Sequence, residues 1–267
     1  MSADPLLAAT AWLGAHAMAV FMALLAALLL LATLLTWLWR RHWLPRAQVA
    51  LSPLAALLLN LATGLLIVVA AAAAFAEIAE HLGPGGRLAL ADEALSASIG
   101  RQVGADTVRA FALLTHLGDV RLLAGLGVVV ALALLWRGQR TLALGWVLAL
   151  AGNAVLNPAL KRIFERVRPV HDTRWVEATG WSFPSGHTSG ATVAYGMLAY
   201  LALRTLPPAW HLPAVLGATT LAFTVGSSRV FLQVHFVSDV VAGFASGTAW
   251  LMVCVMSLAL SHRRRTR

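Results

Sequence analysis

The chain has 267 residues, 60% of them hydrophobic and only 12% charged. Soluble domains carry about 25% charged residues, so this chain has roughly half the charge that coats a water-facing globule, which excludes an ordinary soluble enzyme, a disordered chain and a collagen-like rod. The single cysteine, Cys254, excludes an intramolecular disulfide framework and a cysteine zinc cluster, and the net charge of +9 is scattered between apolar runs rather than gathered on a soluble basic face, so no nucleic-acid partner is expected.

What remains is an all-α, polytopic membrane protein. The opening residues MSADPLLAAT lack a positive n-region, and the apolar stretch after them runs on to Trp39, too long for a signal-peptide core. It reads as a spanning helix. A hydrocarbon core about 30 Å thick needs about 20 apolar helical residues, and such runs recur at 14–38, 54–76, 121–137, 141–160, 188–206, 212–228 and 236–260. Seven spans put the termini on opposite sides of the bilayer.

The short connectors WRRHWLPRAQ, WRGQR and RTLPPAWH each carry Arg and no acid. The positive-inside rule places them, with the basic tail at 263–267, in the cytoplasm, although Lys and Arg counted over all loops divide evenly. Nineteen arginines against the single lysine, Lys161, suggest a GC-rich bacterial genome, so the expected location is a bacterial inner membrane, with the longer, acid-bearing loops facing the periplasm or exterior. Within the longest of these, 78–120, HLGPGG is a turn cluster. The following ADTVRAFALLTHLGD suggests one interfacial amphipathic helix, a structural lid resting on the membrane. Gly243 and Gly247 form a G-x-x-x-G pair suited to close helix packing.

Three polar patches fall on one predicted side of the membrane, where ionisable groups are costly and therefore informative. In KRIFERVRP, residues 161–169, Lys161 and Arg168 are seven apart. On a helix they share a face about 10 Å apart, while Pro169 disfavours helix at Arg168. Such a pair can grip a doubly charged anion. Read alone it is equally a basic cluster reaching for headgroups, with Glu165 paired to Lys161. FPSGHTSG, residues 183–190, leads straight into a span. A helix N-terminus offers unpaired N–H groups to a phosphate, with Ser185, Gly186 and His187 in position, or it is a capped helix start and nothing more. In SRVFLQVHFVSD, residues 228–239, His235 and Asp239 are four apart and would meet one turn along a helix. A carboxylate on one imidazole nitrogen leaves the other free as a nucleophile. The same pair would also serve as a structural contact or half a metal site. Arg229 lies six residues before His235.

Taken together, K-x(6)-R-P, P-S-G-H and S-R-x(5)-H-x(3)-D resemble the tripartite signature of the type-2 phosphatidic acid phosphatase and haloperoxidase superfamily, in its membrane lipid phosphate phosphatase branch. GNAVLNPALKRIF and HFVSDVVAGFASG strengthen the likeness, which covers roughly residues 108–250. Val167 stands where many relatives have proline, and Gln233 where glycine is common. The resemblance implies a six-helix core over 51–262, with motifs at 161–169, 184–187 and 228–239. Residues 1–50 would then be an additional helix with its basic connector.

It also implies roles. His235 would be the nucleophile that forms a phosphohistidine, Asp239 its orienter and His187 the acid–base. Lys161, Arg168, Arg229, Ser185 and Gly186 would hold the phosphate. The substrate would be a lipid phosphate or a polyprenyl diphosphate. No cofactor and no metal are expected, since after Asp119 the only acids are Glu165, Asp172, Glu177 and Asp239, too few for a two-metal site. A lipid-to-lipid phosphotransferase would use the same residues. An anion or lipid transporter would need only the cationic cleft.

Overall fold

A computed structural model describes residues 5–43, 52–83, 85–169 and 178–265. The connector at 44–51, and the acids Asp172 and Glu177, lie outside the described residues. Ten α-helices make up the architecture of the described residues: α1 (Pro5–Ala15), α2 (Ala17–Leu38), α3 (Pro53–Glu80), α4 (Arg87–Gln102), α5 (Ala105–Leu114), α6 (Val120–Trp136), α7 (Arg140–Phe164), α8 (Gly186–Thr205), α9 (His211–Phe231) and α10 (Val237–Arg265).

Each of the seven apolar runs coincides with one of the long helices α2, α3 and α6 to α10. By length and composition five of these can cross a bilayer: Ala17–Arg41, Leu54–Glu80, Arg140–Phe164, Pro208–Phe231 and Val237–Ser261. A sixth is added if Ala105–Gly118 and Val120–Trp136, bent by 42°, count as one span. The remaining helix, α8, carries Gly, Ser, Thr and His along its first turns. It tolerates them because its neighbours are protein: it packs against α7, α9 and α10 and touches α6. α2 leans on α9, and α3 on α10.

The core follows α8. Ala191, Val193, Ala194 and Met197 meet Trp146 and Ala149 of α7 and Val225 of α9, with almost no exposure. Two indoles that would be costly to bury unpaired donate to neighbouring backbone: Trp146 Nε1 to Gly127 O and Trp250 Nε1 to Ala149 O, both at 2.8 Å. Gly243 and Gly247 bring α10 against the start of α8. A Cβ on Gly243 would lie 2.8 Å from Ser185 O, and one on Gly247 3.0 Å from Ser189 O. Gly243→Ala should therefore push α8 away and cost about 1–3 kcal/mol, the usual range for overpacking. Gly217→Ala, with no neighbour within 4 Å, should leave the unfolding midpoint in detergent where it is. Equal midpoints for the two variants would refute close packing at Gly243.

The segment 78–120 departs from the expectation of a single interfacial helix. It forms α4 and α5, broken at Val103–Gly104, and then a 3-10 turn, Thr115–Gly118. Nor is it only a lid. α4 buries Asp92, Ser96 and Ser98, and the turn buries Thr115, so this segment turns polar groups inward.

Candidate active site

Consecutive helices α7 to α10 run up and down. The end of α7, the start of α8, the end of α9 and the start of α10 therefore meet at one end of the bundle, and each carries part of a motif. Lys161, Arg168, Gly186, His187, Arg229 and His235 line one groove of about 820 Å³.

The first motif does not stay helical. α7 stops at Phe164, and Glu165 turns into the left-handed region at φ 42°. Lys161 and Arg168 thus do not share a helix face, because the loop carries Arg168 back across the bundle end. Ser182 fixes that loop, its N–H donating to Arg166 O at 2.8 Å and its Oγ to Val167 O at 3.2 Å. Lys161 Nζ donates to Trp181 O, and to Ser182 O at 3.4 Å, rather than to Glu165.

Arg168 is held on all sides. Its Nε donates to Gly180 O at 3.0 Å, and its Nη2 to Thr179 O at 3.1 Å and Trp181 O at 3.2 Å. Its Nη1 donates to Val234 O at 2.7 Å and to His235 Nε2 at 3.0 Å. A guanidinium can only donate, so the Nε2 lone pair faces Arg168 and the ring proton sits on Nδ1. That nitrogen lies 3.3 Å from Asp239 Oδ2.

His235 itself is not on a helix: it occupies the turn between α9 and α10, and the contact with Asp239 forms across the helix start. Gln233 makes this turn possible at φ 55°, a conformation that glycine adopts most cheaply. Its side chain lies over Gly100 and donates to Ser96 O at 3.3 Å, which ties the turn to α4. Burial pushes His235 down to about 3, with the charges of Arg168 and Arg229 adding to it and Asp239 opposing. Its imidazole is therefore neutral at every pH well above that value.

The second motif caps α8. The Ser185 hydroxyl accepts from Thr188 N at 3.4 Å and Thr188 Oγ1 at 2.9 Å, and its N–H donates to Asp239 O at 3.0 Å. Fully buried, Ser185 caps the start of α8. Gly186 does line the groove, and a Cβ there would lie 2.9 Å from Asn157 Oδ1. Arg229, only 2% exposed, donates through Nη1 to Thr115 Oγ1 at 2.7 Å. Its buried Nε has no hydrogen-bond partner, a donor kept dry and unspent beside the groove.

Several contributors escaped the sequence reading. Arg166, inside the first motif, donates through Nη1 to Asp239 Oδ1 at 2.7 Å and Ser238 Oγ at 2.7 Å, and through Nη2 to Asp92 Oδ2 at 2.9 Å. Asp92 also accepts from Ser238 N at 3.2 Å and from Ser238 Oγ. Phe236 N–H donates to Asp239 Oδ2 at 2.9 Å. Behind His187, Asp119 bridges two imidazoles, with His187 Nε2 at 2.9 Å and His116 Nδ1 at 2.6 Å. Among the described residues no three His, Cys, Asp or Glu side chains converge as a metal site.

These features define a polytopic helical membrane protein with a cation-lined groove beside a His–Asp pair at one end of the bundle. The PAP2 superfamily pattern matches residues 140–263. Phosphatidylglycerophosphatase B of Bacillus subtilis (strain 168) is 37% identical over 136 residues, a stretch that covers 50% of this chain and 66% of that protein. The crystal structure of a transmembrane PAP2-type phosphatidylglycerolphosphate phosphatase from Bacillus subtilis superposes with a TM-score of 0.65 at 31% identity, covering 70% of this chain and 94% of that one. The chain belongs to the PAP2 superfamily.

Proposed function

We propose that this protein is an integral membrane phosphatase that removes phosphate from a lipid through a phosphohistidine at His235, without a metal ion. One observation carries the reading: a neutral, buried imidazole with Nδ1 on Asp239 and its Nε2 lone pair turned toward Arg168 in a cationic groove. The bacterial relatives named above support the lipid phosphate class.

The chemistry balances with the groups present. His235 Nε2 attacks phosphorus as the bond to the lipid oxygen breaks, and His187 delivers a proton to that oxygen. His187 then takes a proton from water, whose oxygen bonds to phosphorus as the P–Nε2 bond breaks, releasing phosphate and leaving the lone pair on His235 Nε2. Lys161, Arg168 and the unspent Nε of Arg229 stabilise the equatorial oxygens, and the first N–H groups of α8 add a positive dipole end. The groove wall away from the cations is apolar, with Leu123, Ala124, Leu150 and Val193. A substrate can therefore leave its tails in hydrocarbon.

The test is phosphate release by the purified chain from phosphatidate, phosphatidylglycerol phosphate and undecaprenyl diphosphate in detergent. Activity should survive EDTA and be blocked by vanadate, which mimics the five-coordinate phosphoryl centre. Strict dependence on added Mg²⁺ would overturn the metal-free reading.

Asp119 has a positioning role in this scheme, through its bond to His187. Asp119→Ala should lower kcat about 10- to 100-fold on lipid substrates, part of the 10²–10⁴ that a positioned acid contributes. The loss should be much smaller on an aryl phosphate, whose leaving group departs without protonation. Equal losses on both would assign Asp119 to the fold alone.

A further inference from the structure

α7 shows the groove a line of polar residues four apart: Asn153, Asn157 and Lys161. Two of them are occupied by protein. Asn157 Nδ2 donates to Pro184 O at 3.4 Å and Ser189 Oγ at 3.3 Å, and Lys161 reaches the 181–182 carbonyls. Asn153 differs. It is only 8% exposed and lines the groove, yet its amide makes no hydrogen bond among the described residues. Its neighbours on the groove wall are apolar, among them Leu123, Leu150, Ala154 and Val193. Gly190 of α8 faces it: a Cβ there would sit 3.9 Å from Asn153 Nδ2 and 3.3 Å from Leu123 Cδ1.

The Asn153 amide is not among the buried unpaired groups; it opens onto the groove, where it is free to pair with what fills it. Asn153 is about 12 Å along the helix axis from Lys161, and Gly190 about 6 Å beyond Gly186 at the start of α8. A ligand whose phosphate rests among the cations therefore meets Asn153 roughly 6–12 Å further in, within otherwise apolar walls. The acyl ester carbonyl of a glycerophospholipid lies at that reach from its terminal phosphate. A polyprenyl diphosphate has only hydrocarbon there, with nothing to accept the amide proton.

We infer that Asn153 donates to the ester carbonyl of a glycerophospholipid phosphate and so selects such lipids over polyprenyl diphosphates. This rests on the lipid phosphatase reading above.

The experiment compares kcat and KM of the full chain in detergent on dioleoyl phosphatidate, its dialkyl ether analogue and undecaprenyl diphosphate, for wild type and Asn153→Leu. The wild type should prefer ester to ether about tenfold, mainly through KM. Asn153→Leu should lose that tenfold on the ester and keep wild-type values on the other two. A wild-type ester-to-ether ratio near one overturns the inference and needs no variant. A variant slowed alike on all three substrates, while unfolding at the wild-type temperature, also overturns it. Wild type that releases phosphate from none of the lipids overturns the phosphatase reading itself, a result separate from either of these.

Discussion

His235→Ala should abolish phosphate release, with a loss of about 10⁴-fold or more, as removing the nucleophile of a covalent mechanism does. The cations would still bind the phosphate, but nothing would take it from the lipid. The fold should stand, because Asp239 keeps its bonds from Arg166 and the Phe236 N–H. Quenching the wild type with ³²P-labelled lipid in alkaline detergent should trap a phosphoprotein that is stable in base and loses its label in acid. The variant should trap none. His187→Ala, which lacks the base for the second step, should retain label longer than wild type on a substrate with a good leaving group. A His235→Ala enzyme turning over at more than a few per cent of wild type would remove the covalent mechanism. A binder or transporter using this cleft would keep part of its function in the same variant.

The second large effect is expected at Arg166. Its guanidinium lies between Asp92 and Asp239, with side-chain exposures of 11%, 4% and 0% for the three groups, and it stacks 4.3 Å from the Phe236 ring centroid. Removing one partner from a buried ionic cluster costs about 3–5 kcal/mol, because the charge left behind is uncompensated. Arg166→Ala leaves two such carboxylates, one of them the orienter of His235. Both the unfolding midpoint and kcat should fall. Arg166→Lys should recover little, since a single ammonium cannot match a planar fork that bridges two acids. Asp92→Asn should fall between Arg166→Ala and wild type, because Asp239 keeps its cation. Wild-type stability in Arg166→Ala would mean that this cluster contributes nothing net.

The three motifs and the seven long helices were legible in the sequence because both rest on local signals: fixed spacing, and apolar runs as long as a bilayer is thick. What was missed depends on contacts between distant segments. Asp92 is 74 residues from Arg166 and Asp119 is 68 from His187, and no periodicity reveals such pairs. A partial signal exists, since Asp92 and Ser96 are four apart on α4 and form a polar stripe within the segment expected to be a lid. Two details of backbone were not legible for a shared reason. Helical spacing pairs Lys161 with Arg168 and His235 with Asp239, whereas Glu165 and Gln233 adopt left-handed backbone and turn the chain there, although His235 and Asp239 still meet at 3.3 Å. Neither residue type announces that conformation as a glycine would. Ser185 does cap α8, as a serine just before an apolar run suggests.

The saturation of Arg168 has a consequence for timing. All five of its N–H bonds are engaged, four by main-chain carbonyls and the fifth by His235 Nε2. An arriving phosphate oxygen can capture one of them only by displacing an incumbent, and the carbonyls, three at 179–181 and one on Val234, are backbone atoms. The imidazole is the one occupant with somewhere to go, toward the phosphorus. The nucleophile would thus rest with its electron pair tethered, and be released by the same anion it goes on to attack.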